Sequence, residues 1–136
     1  MRPGLGFAAL AATLACSGHS QAVDAPAPGY SPAYQRCLDA PSGQSTAGMI
    51  GCIAAELSVQ DARLNTTWRR VTARLNPRQK AKLQAAQRAW IAYRDADCRS
   101  LDDADWGTIS RIAANQCMLR QTMERTAALA AFPDRR

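Results

Sequence analysis

Histidine is almost absent from this chain of 136 residues, since the one copy, His19, lies near the N-terminus. The rest of the chain therefore lacks the commonest general base, and it cannot form a Cys/His nucleophile pair or a zinc site that uses imidazole. Aromatic residues are also scarce, at 6%. Few of them interleave with the arginines, which argues against a nucleic-acid surface. We expect a protein that is not an enzyme and that needs neither a metal nor a cofactor.

Hydrophobic runs long enough to span a membrane are missing as well. The apolar stretch at residues 5–15 follows a basic residue, Arg2, and is about half the length that a span needs. Ser20-Gln21-Ala22 then fits a signal-peptidase site, so we interpret residues 1–22 as a signal peptide for export to the periplasm or beyond. Lipid attachment at Cys16 is the alternative, and it is disfavoured because Thr13 stands where lipoprotein signals usually carry leucine. Cleavage after residue 22 would also remove the histidine.

The alternation of apolar and polar residues that is typical of β-strands does not occur in this sequence. Residues 23–33 are rich in alanine, proline and glycine, and we interpret them as a flexible linker before a domain at residues 34–132. Within that domain, apolar residues recur three and four apart in three long segments, as in helices with one buried face. Asn76-Pro77 separates the first two segments with a helix-capping pattern, and an aspartate of residues 102–105 is expected to cap the last helix.

The resulting prediction is an all-α fold: a three-helix antiparallel bundle with a short N-terminal helix, held together by two disulfides. The core is small, so disulfides are expected to contribute much of the stability. The apolar positions assigned to the three long helices are, in order, Ile50, Ile53, Leu57, Leu64, Trp68, Val71 and Leu75; then Leu83, Ala86, Trp90 and Leu101; then Ile109, Ile112, Leu119, Met123, Thr126 and Leu129.

Four cysteines remain after the predicted cleavage, and an even number in a small exported domain is typical of a disulfide framework. Pairing Cys37 with Cys52 and Cys98 with Cys117 closes two short loops, each contributing about 3 kcal/mol by the chain-entropy estimate. The rival pairing joins Cys52 to Cys98, which lie at similar distances from the Asn76 turn, and leaves Cys37 for Cys117. The local pairing is favoured, but spacing does not fix the connectivity.

Charge is distributed unevenly along the domain. The formal net charge is +6, or +5 once Arg2 is removed with the signal. Anionic lipid and anionic wall polymer are therefore candidate partners. Basic residues, among them Arg70, Arg74 and Arg78, gather at the turn between the first two long helices. The opposite end is acidic and carries Asp95, Asp97, Asp102, Asp103 and Asp105. We regard both ends as candidate partner-binding surfaces.

The segment Gln87-Arg88-Ala89-Trp90-Ile91-Ala92-Tyr93-Arg94-Asp95-Ala96-Asp97-Cys98 resembles the LprI-like lysozyme-inhibitor family of small exported bacterial proteins. The resemblance extends over nearly the whole domain and includes Cys37, Met49, Cys52, Glu56, Asp61, Leu64-Asn65, Leu75, Cys117, Thr122 and Arg125. One departure is visible, because residues 101–107 are rich in aspartate where relatives often carry a glycine-rich loop.

This resemblance implies an exported helical domain that binds and inhibits a lysozyme. The matching residues look structural, and Asp61 shares a helix face with Leu57 and Leu64, so we predict a structural ion pair between Asp61 and Arg94 or Arg125. Two functions remain open. The first is inhibition of lysozyme by surface binding through the acidic end, and the second is binding of anionic lipid or wall polymer through the basic hairpin.

Overall fold

The computed structural model describes residues 29–133, and these form helices with no β-strand among them. The α-helices are α1 (Pro32–Asp39), α2 (Thr46–Thr72), α3 (Pro77–Arg99) and α4 (Thr108–Ala130), with short 3₁₀ turns at Pro41–Gln44 and Ala104–Trp106. The predicted all-α fold, with three long helices and a short N-terminal one, is confirmed. None of the described helices is both long and apolar enough to cross a bilayer. The predicted signal peptide, with Cys16, lies outside the described residues.

Side-chain caps fix where the helices begin. The Ser45 hydroxyl accepts a hydrogen bond from the Gly48 N–H at 3.0 Å and starts α2. At the next turn, the Asn76 side chain accepts from the Gln79 N–H at 2.9 Å, while the Gln79 side chain accepts from the Asn76 N–H at 3.1 Å. This reciprocal capping box, with Pro77 at the first helical position, confirms the boundary predicted from the sequence.

The core consists of two clusters along α2, which packs most extensively against α4. The first surrounds α1 and the start of α2 and contains Tyr34, Cys52, Ile53, Ile112 and Leu119. The second lies near the α2–α3 turn and contains Leu64, Val71, Leu83 and Leu129. Each fully buried apolar side chain of this size stabilises the fold by about 1.5–3 kcal/mol.

Both disulfides follow the local pattern, so the favoured pairing is confirmed and the rival pairing is wrong. Cys37 pairs with Cys52 at a Cα–Cα distance of 5.7 Å, and Cys98 pairs with Cys117 at 5.4 Å. The first fixes α1 on α2. The second joins the end of α3 to α4 and closes the aspartate-rich connection between them.

The expected burial of α3 and of the start of α4 is wrong at several positions. On α3 only Leu83 and Cys98 are fully buried, and Ala86 is exposed. Ile109 in the first turn of α4 is 63% exposed. The first turns of α4 extend past the end of α3, so only their side facing α1 and α2 is covered, where Ile112 lies.

The N-terminal boundary of the folded part also differs from the expected one. The linker predicted at residues 23–33 overlaps the folded part of the chain. Helix α1 begins at Pro32, and the Ser31 side chain caps it. Ser31 is buried and donates hydrogen bonds to Glu56 on α2. Ser31 therefore belongs to the folded body.

Candidate functional site

The connection between α3 and α4, together with the first turn of α4 (residues 102–109), forms what we call the acidic turn. The expectation that an aspartate of residues 102–105 caps α4 is wrong, because Gly107 occupies the cap position. Asp103 caps a different element. Its carboxylate instead accepts from the Asp105 N–H at 2.8 Å and caps the 3₁₀ turn. Gly107 precedes α4 with φ of 67°, a conformation that favours glycine, and supplies no side-chain cap.

Two large apolar side chains project from the acidic turn into solvent. Trp106 is 62% exposed and Ile109 is 63% exposed, on either side of Gly107. The carboxylates of Asp102 and Asp105 are exposed beside them. Tryptophan is among the side chains most enriched at binding hot spots.

Contacts with the body of the protein hold the acidic turn in place. The Ser110 hydroxyl is buried and donates to the Gly107 carbonyl at 2.7 Å, and it lies 3.5 Å from an Asp102 oxygen. The disulfide between Cys98 and Cys117 closes the base of the turn. These contacts restrict the backbone that presents Trp106.

Asp95 and Asp97, which the sequence placed with the acidic end, lie on α3 and accept hydrogen bonds from neighbouring side chains. Asp95 accepts from the Arg94 guanidinium at 2.8 and 2.9 Å. Asp97 accepts from the Gln121 amide at 2.6 Å. Asp97, Cys98 and Cys117 place ligand-type atoms within 4.8 Å of one another, but both sulfurs are joined in the disulfide and offer no thiolate to a metal.

The guanidinium carbons of Arg94 and Arg125 lie 4.9 and 5.6 Å from the centroid of the Trp90 ring. Arg94 and Trp90 are both on α3, whereas the cation–π contact of Arg125 connects α4 to α3. Arg125 also donates to the Gln87 amide oxygen at 2.8 Å. Burial lowers the pKa of Arg125, and its Nη2 atom is buried with no hydrogen-bond partner among the described residues.

The distance between Asp61 and Arg94 is long for an ion pair. The Arg94 Nη1 atom lies 3.9 Å from the Asp61 carboxylate, whose side chain is 48% exposed, and the same Nη1 donates to Thr122 at 3.1 Å. Because the contact is long and the Asp61 carboxylate is about half exposed, we expect this pair to contribute only about 0–1 kcal/mol. A register-setting role for Asp61 stays a prediction, and unchanged stability in Asp61→Ala would contradict it.

Glu56 is the titratable group that sequence reasoning underestimated. It is 2% exposed and accepts from the Ser31 N–H at 2.9 Å, from the Ser31 hydroxyl, and from the Gln60 amide at 2.6 Å. Burial acts to raise the pKa of Glu56, but the hydrogen bonds from Ser31 and Gln60 outweigh it, so the pKa lies below its ordinary value. The sequence signal was a glutamate on the apolar face of α2, three residues after Ile53.

The basic residues occupy the other end of the bundle. Arg70, Arg74 and Arg78 are all exposed around the α2–α3 turn. The antiparallel course of the helices places this turn opposite the acidic turn. The structure thus keeps the two predicted surfaces apart, and it adds Trp106 and Ile109 to the acidic one.

Comparison with known proteins shows which family the chain resembles. One relative, an uncharacterized protein of Rhizobium meliloti (strain 1021), is 32% identical over 92 residues, covering 57% of this chain and 66% of that protein. The chain thus spans slightly less than two thirds of the relative's length. No solved structure matches. The family model described as "Lysozyme inhibitor LprI" matches residues 37–129, a range that includes both disulfides, the Trp90 cluster and the acidic turn. The chain therefore belongs to the LprI lysozyme-inhibitor family.

Proposed function

We propose that this protein is an exported, non-catalytic inhibitor that binds a lysozyme through the acidic turn. Membership of the family supports the target class. The observation that carries the assignment of the surface is the exposure of Trp106 and Ile109 beside the aspartates of the turn.

The chemistry of the turn suits a cationic enzyme surface. An apolar centre provides the area that is desolvated on binding, and Trp106 can fill a pocket as an anchor side chain. The Asp102 and Asp105 carboxylates border it and complement basic side chains on the partner. Elsewhere this basic protein would repel a cationic lysozyme, so the acidic turn is the end that can approach one.

The turn is also held in shape before binding. The disulfide at its base, the Asp103 cap and the buried Ser110 hydroxyl limit its conformations. A pre-ordered loop loses less conformational entropy when it binds, so more of the contact energy appears as affinity. The role is occlusion of the enzyme by surface contact and requires no bond making or breaking.

An assay of lysozyme activity with the mature domain tests this function. We expect wild-type protein to inhibit at micromolar excess, and Trp106→Ala to weaken inhibition by about 30-fold or more, the loss of one hot-spot side chain. Tyr93→Ala is the matched control, because Tyr93 is a similarly exposed aromatic residue, at 60%, on α3. Absence of inhibition by the wild-type protein would reject the function, while equal loss in both variants would reject the acidic turn as the surface.

Export and processing are part of the same proposal. We expect the mature chain to begin at Val23, which intact-mass analysis of protein recovered from the producing cell measures directly. A lipid-modified chain beginning at Cys16 would show that the protein is anchored.

A further inference from the structure

At the end of the molecule opposite the acidic turn, the charged side chains of the described part of the chain are all basic. From residue 62 to residue 94 the sequence has nine arginines and lysines and no aspartate or glutamate. This segment forms the end of α2, the α2–α3 turn and most of α3. Four exposed side chains near the turn, which we call the basic tip, are Arg70, Arg78, Lys80 and Lys82. Arg74 is exposed too, but it makes other contacts and is not included.

The carboxylates of the described residues that lie nearest along the helices, Asp61 and Glu124, are outside the basic tip. Asp61 lies eleven residues before the end of α2, about 16 Å along the helix. Glu124 lies near the level of Gln87, because its neighbour Arg125 bonds Gln87. Gln87 is about 8 Å along α3 from Lys82, and the Glu124 carboxylate is itself paired with Arg120. Charges interact weakly beyond a Debye length of about 8 Å at physiological ionic strength. Among the residues that the structure describes, the positive charge of the tip is therefore only weakly compensated.

The tip is the end of a helical hairpin, and no large apolar side chain is exposed among its described residues. Residues 73–76 connect two antiparallel helices in a short turn. The nearest exposed large apolar side chains of the described region, Val59 and Ile91, lie about 20 Å along their helices from that turn. A cationic end of this kind can touch a flat anionic surface with several side chains at once, but it has no exposed large apolar side chain to insert.

We propose that the basic tip is a second binding surface that docks this protein on a membrane rich in anionic phospholipid. The contact is peripheral and electrostatic, between the guanidinium and ammonium groups of the tip and lipid phosphates. Attraction of this kind grows with each Lys or Arg near the surface and is screened by salt. With the tip on a membrane, the acidic turn at the far end of the bundle points away from it and stays free for a protein partner.

Sedimentation with lipid vesicles tests the proposal on the mature protein. We expect binding to vesicles that contain phosphatidylglycerol, little binding to vesicles of phosphatidylcholine alone, and release by added salt. The triple variant Arg70→Gln, Arg78→Gln and Lys80→Gln should bind the anionic vesicles roughly 100-fold more weakly. The control Arg36→Gln, Arg99→Gln and Arg111→Gln removes the same charge from exposed positions elsewhere and should bind within a few-fold of wild type.

Three outcomes would overturn the assignment. Equal weakening in both triple variants would show that net charge, and not the tip, attracts the protein. Binding that persists at high salt would show apolar insertion. Preference for soluble inorganic polyphosphate over the vesicles, lost with the tip variant, would identify an anionic polymer as the ligand. Lysozyme inhibition by the tip variant should equal that of wild type. Rejection of membrane docking would therefore not affect the proposal that the acidic turn binds lysozyme.

Discussion

At the residue scale, Glu56 shows how a buried charge is kept ionised. Three donors from Ser31 and Gln60 surround its carboxylate, and the Ser31 hydroxyl also accepts from the Tyr34 N–H as the cap of α1. Hydrogen bonds to a charged group typically contribute about 1.5–3 kcal/mol. Glu56 therefore connects the start of the folded chain to α2 beside the disulfide between Cys37 and Cys52.

We expect Glu56→Gln to lower the free energy of unfolding by about 2–3 kcal/mol, because one amide group would face the donors of Ser31 and Gln60. The pKa of Glu56 is lowered on folding, so its ionised contribution is complete above the unfolded pKa, near 4.5, and is lost as the pH falls through the folded-state pKa. Urea unfolding of the oxidised protein at several pH values measures both effects. Exposed Glu124→Gln is the control, and an equally small change in the two variants would contradict the prediction.

At the element scale, the two disulfides connect different pairs of the four helices around a small core. One fixes α1 on α2, and the other fixes the end of α3 on α4 below the acidic turn. The loops they close are similar in length, with sequence separations of 15 and 19 residues. Their effects on stability should therefore be similar, while their effects on the acidic turn should differ.

Replacing either cysteine pair by alanine should cost about 3 kcal/mol of stability. At a temperature where both double variants remain folded by circular dichroism, we expect Cys98→Ala/Cys117→Ala to lose lysozyme inhibition at least tenfold. The Cys37→Ala/Cys52→Ala variant should lose less inhibition, because this disulfide joins α1 to α2 and does not close the base of the acidic turn. Equal inhibition by both variants would show that the turn keeps its shape without the disulfide.

At the scale of the whole molecule, the helices separate charge into two ends. The aspartates of residues 102–105 lie at one end and the basic tip at the other. Long-range attraction of this type acts mainly on the rate of encounter with a charged partner, whereas close apolar packing sets the rate of dissociation.

We expect Asp102→Asn/Asp105→Asn to slow association with a cationic lysozyme several-fold and to weaken the dependence of that rate on salt. Trp106→Ala should act mainly on dissociation, since it removes packed area. Biosensor kinetics at two salt concentrations separate the two effects. An association rate that is insensitive to both aspartates would show that the acidic turn does not guide the encounter.

Sequence by itself determined most of the fold, because the evidence for it is local. Apolar spacing of three and four and the Asn76-Pro77 cap each act over a few turns of chain, and they predicted the helices. The spacing of the four cysteines favoured the local disulfide pairing, which the structure then established. The charged ends followed from the same helix order.

Tertiary structure alone decided which side chains lie at the ends of the helices and what they contact. Ile109 fits the periodic pattern of α4, yet it is exposed because α4 extends beyond the helix that would cover it. Glu56 fits the same kind of pattern and is buried because Ser31, 25 residues earlier, supplies its donors. Periodicity reports which face of a helix is apolar, whereas burial depends on where the neighbouring helices end.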